Sequence, residues 1–422
     1  MFKKILYSFS IYSVTSVIGA LLNLLILPIL TSHLSEKDYG TTALFSTYVL
    51  ILSPIIGLSS EGFFWIEFFK KEKQFKEQQK LYSTHFWLSI TNTLLITILL
   101  AGIFPFREET TFGPLFLFLL PLTGFMTIVS EEIRNYYINH KKPIAYMFYS
   151  LTFTLFDLGL SCYLVVYVFQ GWEGRIIGWL ISLFLQSIIS IWFFGIRLSY
   201  LHFTFSKHDL IKLATFGFPL IFHQLSKFAV NQSDRIFISE MISVDEAGIY
   251  TIGYQFGSMI LLPITAFSNF YTPFVYERLT SATDEAKTQI VKMCYLFIAL
   301  IMFCFLMIAL LSPFFFRIFI DEKFHEGMMY VNWVSLSYVF WGFYLLVSSV
   351  IFYTAKTSFL GWLSVFSILL NGVLNYVFIS NYGAIGAVYA TAISFFIIFL
   401  ATFIFSNRLL PLPWFYFLDK KK

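Results

Sequence analysis

Apolar stretches of about 20 residues recur from one end of the chain to the other, separated by short polar breaks. They fall near 9–30, 40–60, 83–105, 113–130, 144–168, 176–196, 216–238, 250–275, 290–313, 328–352, 359–379 and 386–406. A helix rises about 1.5 Å per residue, so each run can cross roughly 30 Å of hydrocarbon. Lipid offers no partners to backbone N–H and C=O groups, which leaves helix as the conformation for such runs. The pattern therefore predicts an all-α integral membrane protein with about 12 transmembrane helices.

The polar breaks set the orientation. With the N-terminus inside, segments 1–8, 61–82, 131–143, 197–213, 276–289, 353–358 and 407–422, together with Lys292, hold 21 of the 28 Lys and Arg residues. The outside loops hold 5, and Lys227 and Arg235 lie within the run at 216–238. This bias follows the positive-inside rule and predicts cytoplasmic N and C termini. The opening "MFKK" does not read as a cleaved secretory signal, because the apolar run after it is too long and lacks a small-residue cleavage site.

Composition agrees with a lipid solvent. Only 12% of the 422 residues are charged and 58% are hydrophobic, whereas soluble domains carry about 25% charged residues. Cys162, Cys294 and Cys304 sit inside apolar runs with no ligand spacing, so neither a disulfide framework nor a metal site is indicated. No cofactor and no nucleic-acid partner are expected.

A faint repeat divides the chain. "SEKDYG" at Ser35–Gly40 and "SVDEAG" at Ser243–Gly248 each follow a span and lead into the next, 208 residues apart. Two halves of six spans, 1–206 and 207–422, then enter the membrane the same way up, as a parallel repeat. The chain also resembles the Wzx-type bacterial polysaccharide flippases, MATE-related members of the MOP superfamily. The likeness is carried by "LPILTSHLSEKDYGTTALF" (Leu27–Phe45), "GLSSEGFFWIEFFKKEKQ" after span two, and "SDRIFISEMISVDEAGIYTIGYQF" (Ser233–Phe256). Two departures stand out: Glu61 occupies a position where such proteins often carry a small residue, and span one offers Asn23 rather than a cation. The resemblance implies two six-helix bundles around a central cavity in the bacterial plasma (inner) membrane. It also implies transfer of undecaprenyl-pyrophosphate-linked oligosaccharides from the cytoplasmic to the outer leaflet.

Candidate chemistry concentrates in the seventh run. His223, Lys227 and Asn231 recur every four residues, and Asp234 follows three later, which makes one polar stripe on a helix. A mid-span lysine costs ~2.5–3.5 kcal/mol on insertion scales, so it needs water or a partner. Lys227 either faces a wet cavity, with His223 and Asn231 beside an anionic headgroup, or pairs with Asp157 or Glu61. Asp157, the sole charge in its run, is read as that partner or as a proton carrier. His223 is a proton relay or a plain hydrogen-bonding group. Asp234 and Arg235 are expected near the outer end of the helix, as an interfacial anchor or a cap for the following loop, or, with Asp157 and Glu61, as groups for ion coupling or charge pairing. Asn371 and Asn375 share one helical face, and with Gln186 they serve either a sugar path or helix–helix adhesion. Glu131, Glu132 and Arg134 are expected to stay solvated in a cytoplasmic loop, or to meet a pyrophosphate at the inner mouth.

The expected function is a flippase working by alternating access, and not an enzyme. Its partners would be lipid-linked oligosaccharide, membrane lipids, a counter-ion (H+ or Na+) and a polysaccharide polymerase. The alternatives are a MATE-type small-molecule exporter and a membrane polymerase or glycosyltransferase. Against the last stand the missing DxD motif, the missing glycine-rich phosphate loop, and the short outside loops.

Overall fold

The computed structural model describes the backbone of residues 2–69, 75–103, 112–281, 283–354, 356 and 358–416. Within these it describes all side chains but those of 2–9, 61, 66, 68, 69, 223, 226, 227, 229–231 and 281. Every regular element among the described residues is helical. Eleven stretches are long and apolar enough to cross a membrane. The twelfth expected span lies within α9 (Lys207–Met241), a 35-residue helix that is not among those eleven and that carries the polar stripe. The chain divides into two compact units, Met1–Phe228 and Ala229–Lys422, and the boundary falls inside α9.

The first unit contains α1 (Phe2–Leu25), α2 (Leu27–His33), α3 (Glu36–Ile56), α4 (Glu61–Phe69), α5 (Phe75–Ile103), α6 (Pro114–Asn139), α7 (Pro143–Leu164) and α8 (Trp172–Trp192). Pro28 has no N–H to offer the carbonyl four residues back, and the first span breaks into α1 and α2 at Ile26. α7 packs on α1 and α8, and α6 packs on α3 and α8. Near residue 200 an aromatic core gathers Phe64, Trp65, Tyr82, Phe194 and Tyr200. The segment after α8 is strapped along α5 there. Ser83 Oγ donates to the Tyr200 carbonyl at 2.8 Å and accepts from His202 N at 2.9 Å, and Trp87 Nε1 donates to the His202 carbonyl at 2.8 Å.

The second unit contains the rest of α9 with α10 (Val244–Gly257), α11 (Leu261–Ser281), α12 (Asp284–Phe319), α13 (Met328–Tyr353), α14 (Ser358–Tyr382) and α15 (Ile385–Leu409). α13 is its centre and packs on α10, α11, α12 and α15. The eighth span is interrupted by a 3-10 turn at Ser258–Ile260. Pro263 explains the break, because it cannot donate to the Met259 carbonyl.

The repeated hexapeptide acquires a physical meaning here. Ser35 caps α3, accepting from Asp38 N at 3.1 Å, while Asp38 Oδ2 accepts from Ser35 N at 3.0 Å. Ser243 caps α10 in the same way, accepting from Glu246 N at 3.1 Å. In each unit a serine followed three residues later by an acid starts a helix.

Close helix approaches in the second unit depend on missing side chains. A Cβ on Gly253 would stand 2.1 Å from the Gly327 carbonyl oxygen, whereas one on Gly361 would meet nothing within 4 Å. Gly253→Ala is therefore expected to lower stability by ~1–3 kcal/mol through overpacking. Gly361→Ala should leave stability level or raise it by up to ~1 kcal/mol through helix propensity. Thermal unfolding of the two purified variants, run side by side in detergent, checks the contrast.

Candidate functional site: a buried carboxylate cluster

Asp234 is fully buried, at 0% exposure, on the part of α9 that belongs to the second unit. A carboxylate out of reach of water must be surrounded by donors, or its desolvation goes uncompensated. Three neighbouring helices supply them. Tyr250 Oη of α10 donates to Oδ2 at 2.6 Å and Thr391 Oγ1 of α15 donates to Oδ2 at 3.0 Å. Asn375 Nδ2 of α14 donates to Oδ1 at 3.0 Å. Asn375 Nδ2 also lies 3.0 Å from Asn371 Oδ1, and Asn371 Nδ2 reaches Ser394 Oγ at 3.4 Å. Asn375 Oδ1 is buried without a hydrogen-bond partner among the described residues, so among them the cluster contains an unsatisfied acceptor.

Arg235 is buried beside it. Its guanidinium lies over the Tyr254 ring, 4.5 Å from the centroid, and Tyr254 Oη bonds Tyr338 Oη. A cation over an aromatic face is stabilised by the ring quadrupole, more so when desolvated. These positions correct the expectation that Asp234 and Arg235 form an interfacial anchor or loop cap. That cap is made by Ser243, and the acid and the base both point into the unit. Asn371 and Asn375 share a helical face in the sequence, and on that face Asn375 bonds Asp234 while Asn371 bonds Asn375. The donors Tyr250 and Thr391 escaped the sequence reading, since tyrosines and threonines abound in this chain and their spacing points nowhere in particular.

Asp157 has a partner other than those expected. Arg175 Nη1 of α8 lies 2.9 Å from its Oδ1 and donates to Ser161 Oγ at 2.7 Å. Arg175 looks like a loop residue in the hydropathy pattern, but α8 begins at Trp172 and brings it back over α7. Gly174 and Gly178 permit the approach, for a Cβ on Gly178 would stand 2.4 Å from Ser161 Oγ. The sequence did contain that signal, as a small-xxx-small pair at 174 and 178.

Glu132 is a second correction. α6 continues to Asn139, nine residues past the apolar run, so Glu132 is not in a solvated loop. It is buried on α6 with His85 Nε2 of α5 at 3.6 Å, and His85 Nδ1 meets Ser60 Oγ at 3.0 Å. Arg134 is engaged too, with Glu131 and with Gln186 Oε1 at 2.7 Å. Gln186 Nε2 reaches Ser182 on its own helix, so Gln186 ties α8 to α6. The side chains of Glu61, His223, Lys227 and Asn231 lie outside the described residues, although the backbone of α9 is helical through 223, 227 and 231.

Comparison with known proteins places this architecture. Residues 5–270 match the family described as polysaccharide biosynthesis protein, and residues 219–377 match the MatE family. The chain belongs to the polysaccharide biosynthesis protein family, and its eleven stretches long and apolar enough to cross a membrane make it a multi-pass membrane protein. It is 25% identical over 276 residues to the Lsg locus putative protein 1 of Haemophilus influenzae, covering 64% of this chain and 65% of that relative, just under two thirds of its length. It is 24% identical to an uncharacterized membrane protein of the same organism, over 86% of this chain and 87% of the other. Among solved structures, a multidrug resistance MATE family transporter of the MOP superfamily in its inward-facing conformation aligns with a TM-score of 0.71 at 16% identity, over 96% of each chain. A MOP superfamily transporter from Pyrococcus furiosus, described as having a binding pocket of reverse polarity, aligns with a TM-score of 0.63 at 15% identity over 95% of each chain. Likeness at this identity speaks to fold alone.

The Asp234 cluster can be probed by removing one donor. Tyr250→Phe withdraws the 2.6 Å hydrogen bond and is expected to cost ~1–3 kcal/mol, because it leaves a buried acceptor short of a donor. In an Asp234→Leu background the same change should cost well under half as much. SDS titration of the four proteins in mixed micelles closes this double-mutant cycle, and equal costs in both backgrounds would refute the coupling.

Proposed function

We propose that this protein moves undecaprenyl-pyrophosphate-linked oligosaccharide repeat units from the cytoplasmic to the outer leaflet of the bacterial inner membrane, by alternating access. The observation that carries the reading is family membership over residues 5–270, joined to an ionisable cluster inside the second unit. A bundle held only by packing has no need of a buried carboxylate, and replacing buried charge by apolar residues is often neutral or stabilising. Intramembrane ionisable residues are accordingly read as functional first.

Asp234 is the proposed coupling residue. Adding a proton to it, or placing a sodium ion against it, changes what Tyr250, Asn375 and Thr391 must bond to, and so changes how α9, α10, α14 and α15 hold together. Asn375 Oδ1 is a ready acceptor for the rearranged set. Lys227, with His223 and Asn231 on the same stripe, is proposed to meet the pyrophosphate. An ammonium on a flexible stem suits a sliding anion better than a fixed fork does. With both termini cytoplasmic, the inside-negative potential favours outward movement of an anion by ~2.3 kcal/mol per charge per 100 mV. A polysaccharide polymerase would take up the product outside.

A second reading, a small-molecule exporter, is favoured by the MatE match at residues 219–377 and by a site centred on a carboxylate. One experiment separates the two. In a deletion strain, intact lipid-linked oligosaccharide should collect in the inner leaflet and return outside with the wild-type gene. Asp234→Asn and Lys227→Ala should each cut surface polysaccharide at least tenfold at equal expression. Normal surface polysaccharide in the deletion strain, with altered drug sensitivity, would point to the exporter. Unpolymerised units displayed outside would point to a polymerase.

A further inference from the structure

The second unit has a cleft of about 550 Å³ at the start of α12, far along that helix from its apolar middle, lined among others by Asp284, Lys287, Lys292, Pro411, Pro413 and Tyr416. One wall is the first turns of α12, "DEAKTQIVK", after which the helix turns apolar from Met293 onward. The other wall is the segment that follows α15, and it is firmly built. Asn407 Oδ1 accepts from Leu412 N at 3.3 Å and from Trp414 Nε1 at 3.2 Å. Tyr295 Oη of α12 donates to the Trp414 carbonyl, and Tyr416 N donates to the Pro413 carbonyl at 3.1 Å.

Two ammonium groups border the space. Lys292 Nζ lies 5.5 Å from the Tyr416 ring centroid, which holds it toward the cleft side of α12. Lys287 Nζ is 3.5 Å from Asp284 Oδ1, but that carboxylate is 99% exposed. So exposed a partner binds weakly and yields readily to a better anion. Pro411, Leu412 and Pro413 add an apolar face to the same cleft. Trp414, Phe415 and Tyr416 follow at once, with Phe415 67% exposed. Aromatic residues beside lysines at the end of an apolar run mark the depth of lipid headgroups.

Paired cations, an apolar wall and that depth call for a ligand that is anionic at one end and hydrocarbon at the other. We propose that the α12–α15 cleft binds a phosphate ester at the membrane surface, the headgroup of an anionic phospholipid, held by Lys287 and Lys292. This site is separate from the Asp234 cluster and does not depend on what the protein transports.

The test uses the full chain purified in detergent, titrated with phosphatidylglycerol and, in parallel, with phosphatidylcholine of the same acyl chains, and read by native mass spectrometry. One saturable phosphatidylglycerol adduct is expected. Lys287→Gln and Lys292→Gln should weaken it about fivefold each, the worth of one lysine near an anionic surface. Asp284→Asn, which frees Lys287, should tighten it, and this gain cannot come from misfolding. Competition by millimolar inorganic phosphate would assign recognition to the phosphate itself, and lack of competition would assign it to the lipid-borne ester; either result keeps the site. Equal binding of the two lipids, or undiminished phosphatidylglycerol binding when both lysines are replaced, overturns it.

Discussion

A carboxylate sealed away from water sets the terms for the second unit. Asp234 needs donors from every side, and the helices that supply them, α10, α14 and α15, are thereby fixed in register around α9. Apolar packing alone is a weak guide to register in lipid, where leucine is as content against an acyl chain as against a neighbour. Directional bonds to one group do what a greasy interface cannot. Three hydrogen bonds, and Arg235 next along the helix, offset part of the cost of burying the charge.

The first unit answers the same problem differently. Two of its acids each face one basic side chain: Asp157 bonds Arg175, and Glu132 lies 3.6 Å from His85. Those pairs bridge adjacent helices, α7 to α8 and α5 to α6, whereas Asp234 draws on three partners at once. The likeness of the serine caps at 35 and 243 therefore does not extend to the polar interior. The two units share a way of starting their second span and differ in how they place their charge.

Much of this was legible in the sequence. Hydropathy located the spans, though with ends up to nine residues off, and the paired hexapeptides marked helix starts. Pro28 and Pro263 stand at the breaks at Ile26 and Ser258–Ile260. What failed was the reading of charges near span ends. Arg175 and Glu132 were assigned to loops because hydropathy falls off before the helix stops, and a helix that continues can carry a polar group back into the bundle. The burial of Asp234 escaped the pattern for the same reason. Its depth depends on where the flanking loop begins, and its partners lie 16, 141 and 157 residues away, a distance that no local pattern spans.

The Asp157–Arg175 pair bears on how the chain is made. As α7 leaves the ribosome its acid has no counter-charge, because the arginine is 18 residues further on. Neutrality arrives only once α8 has emerged and folded back along the glycine face at 174 and 178. Biogenesis should thus deliver these two spans to the bilayer as a hairpin, held at the translocon until the second arm closes on the first.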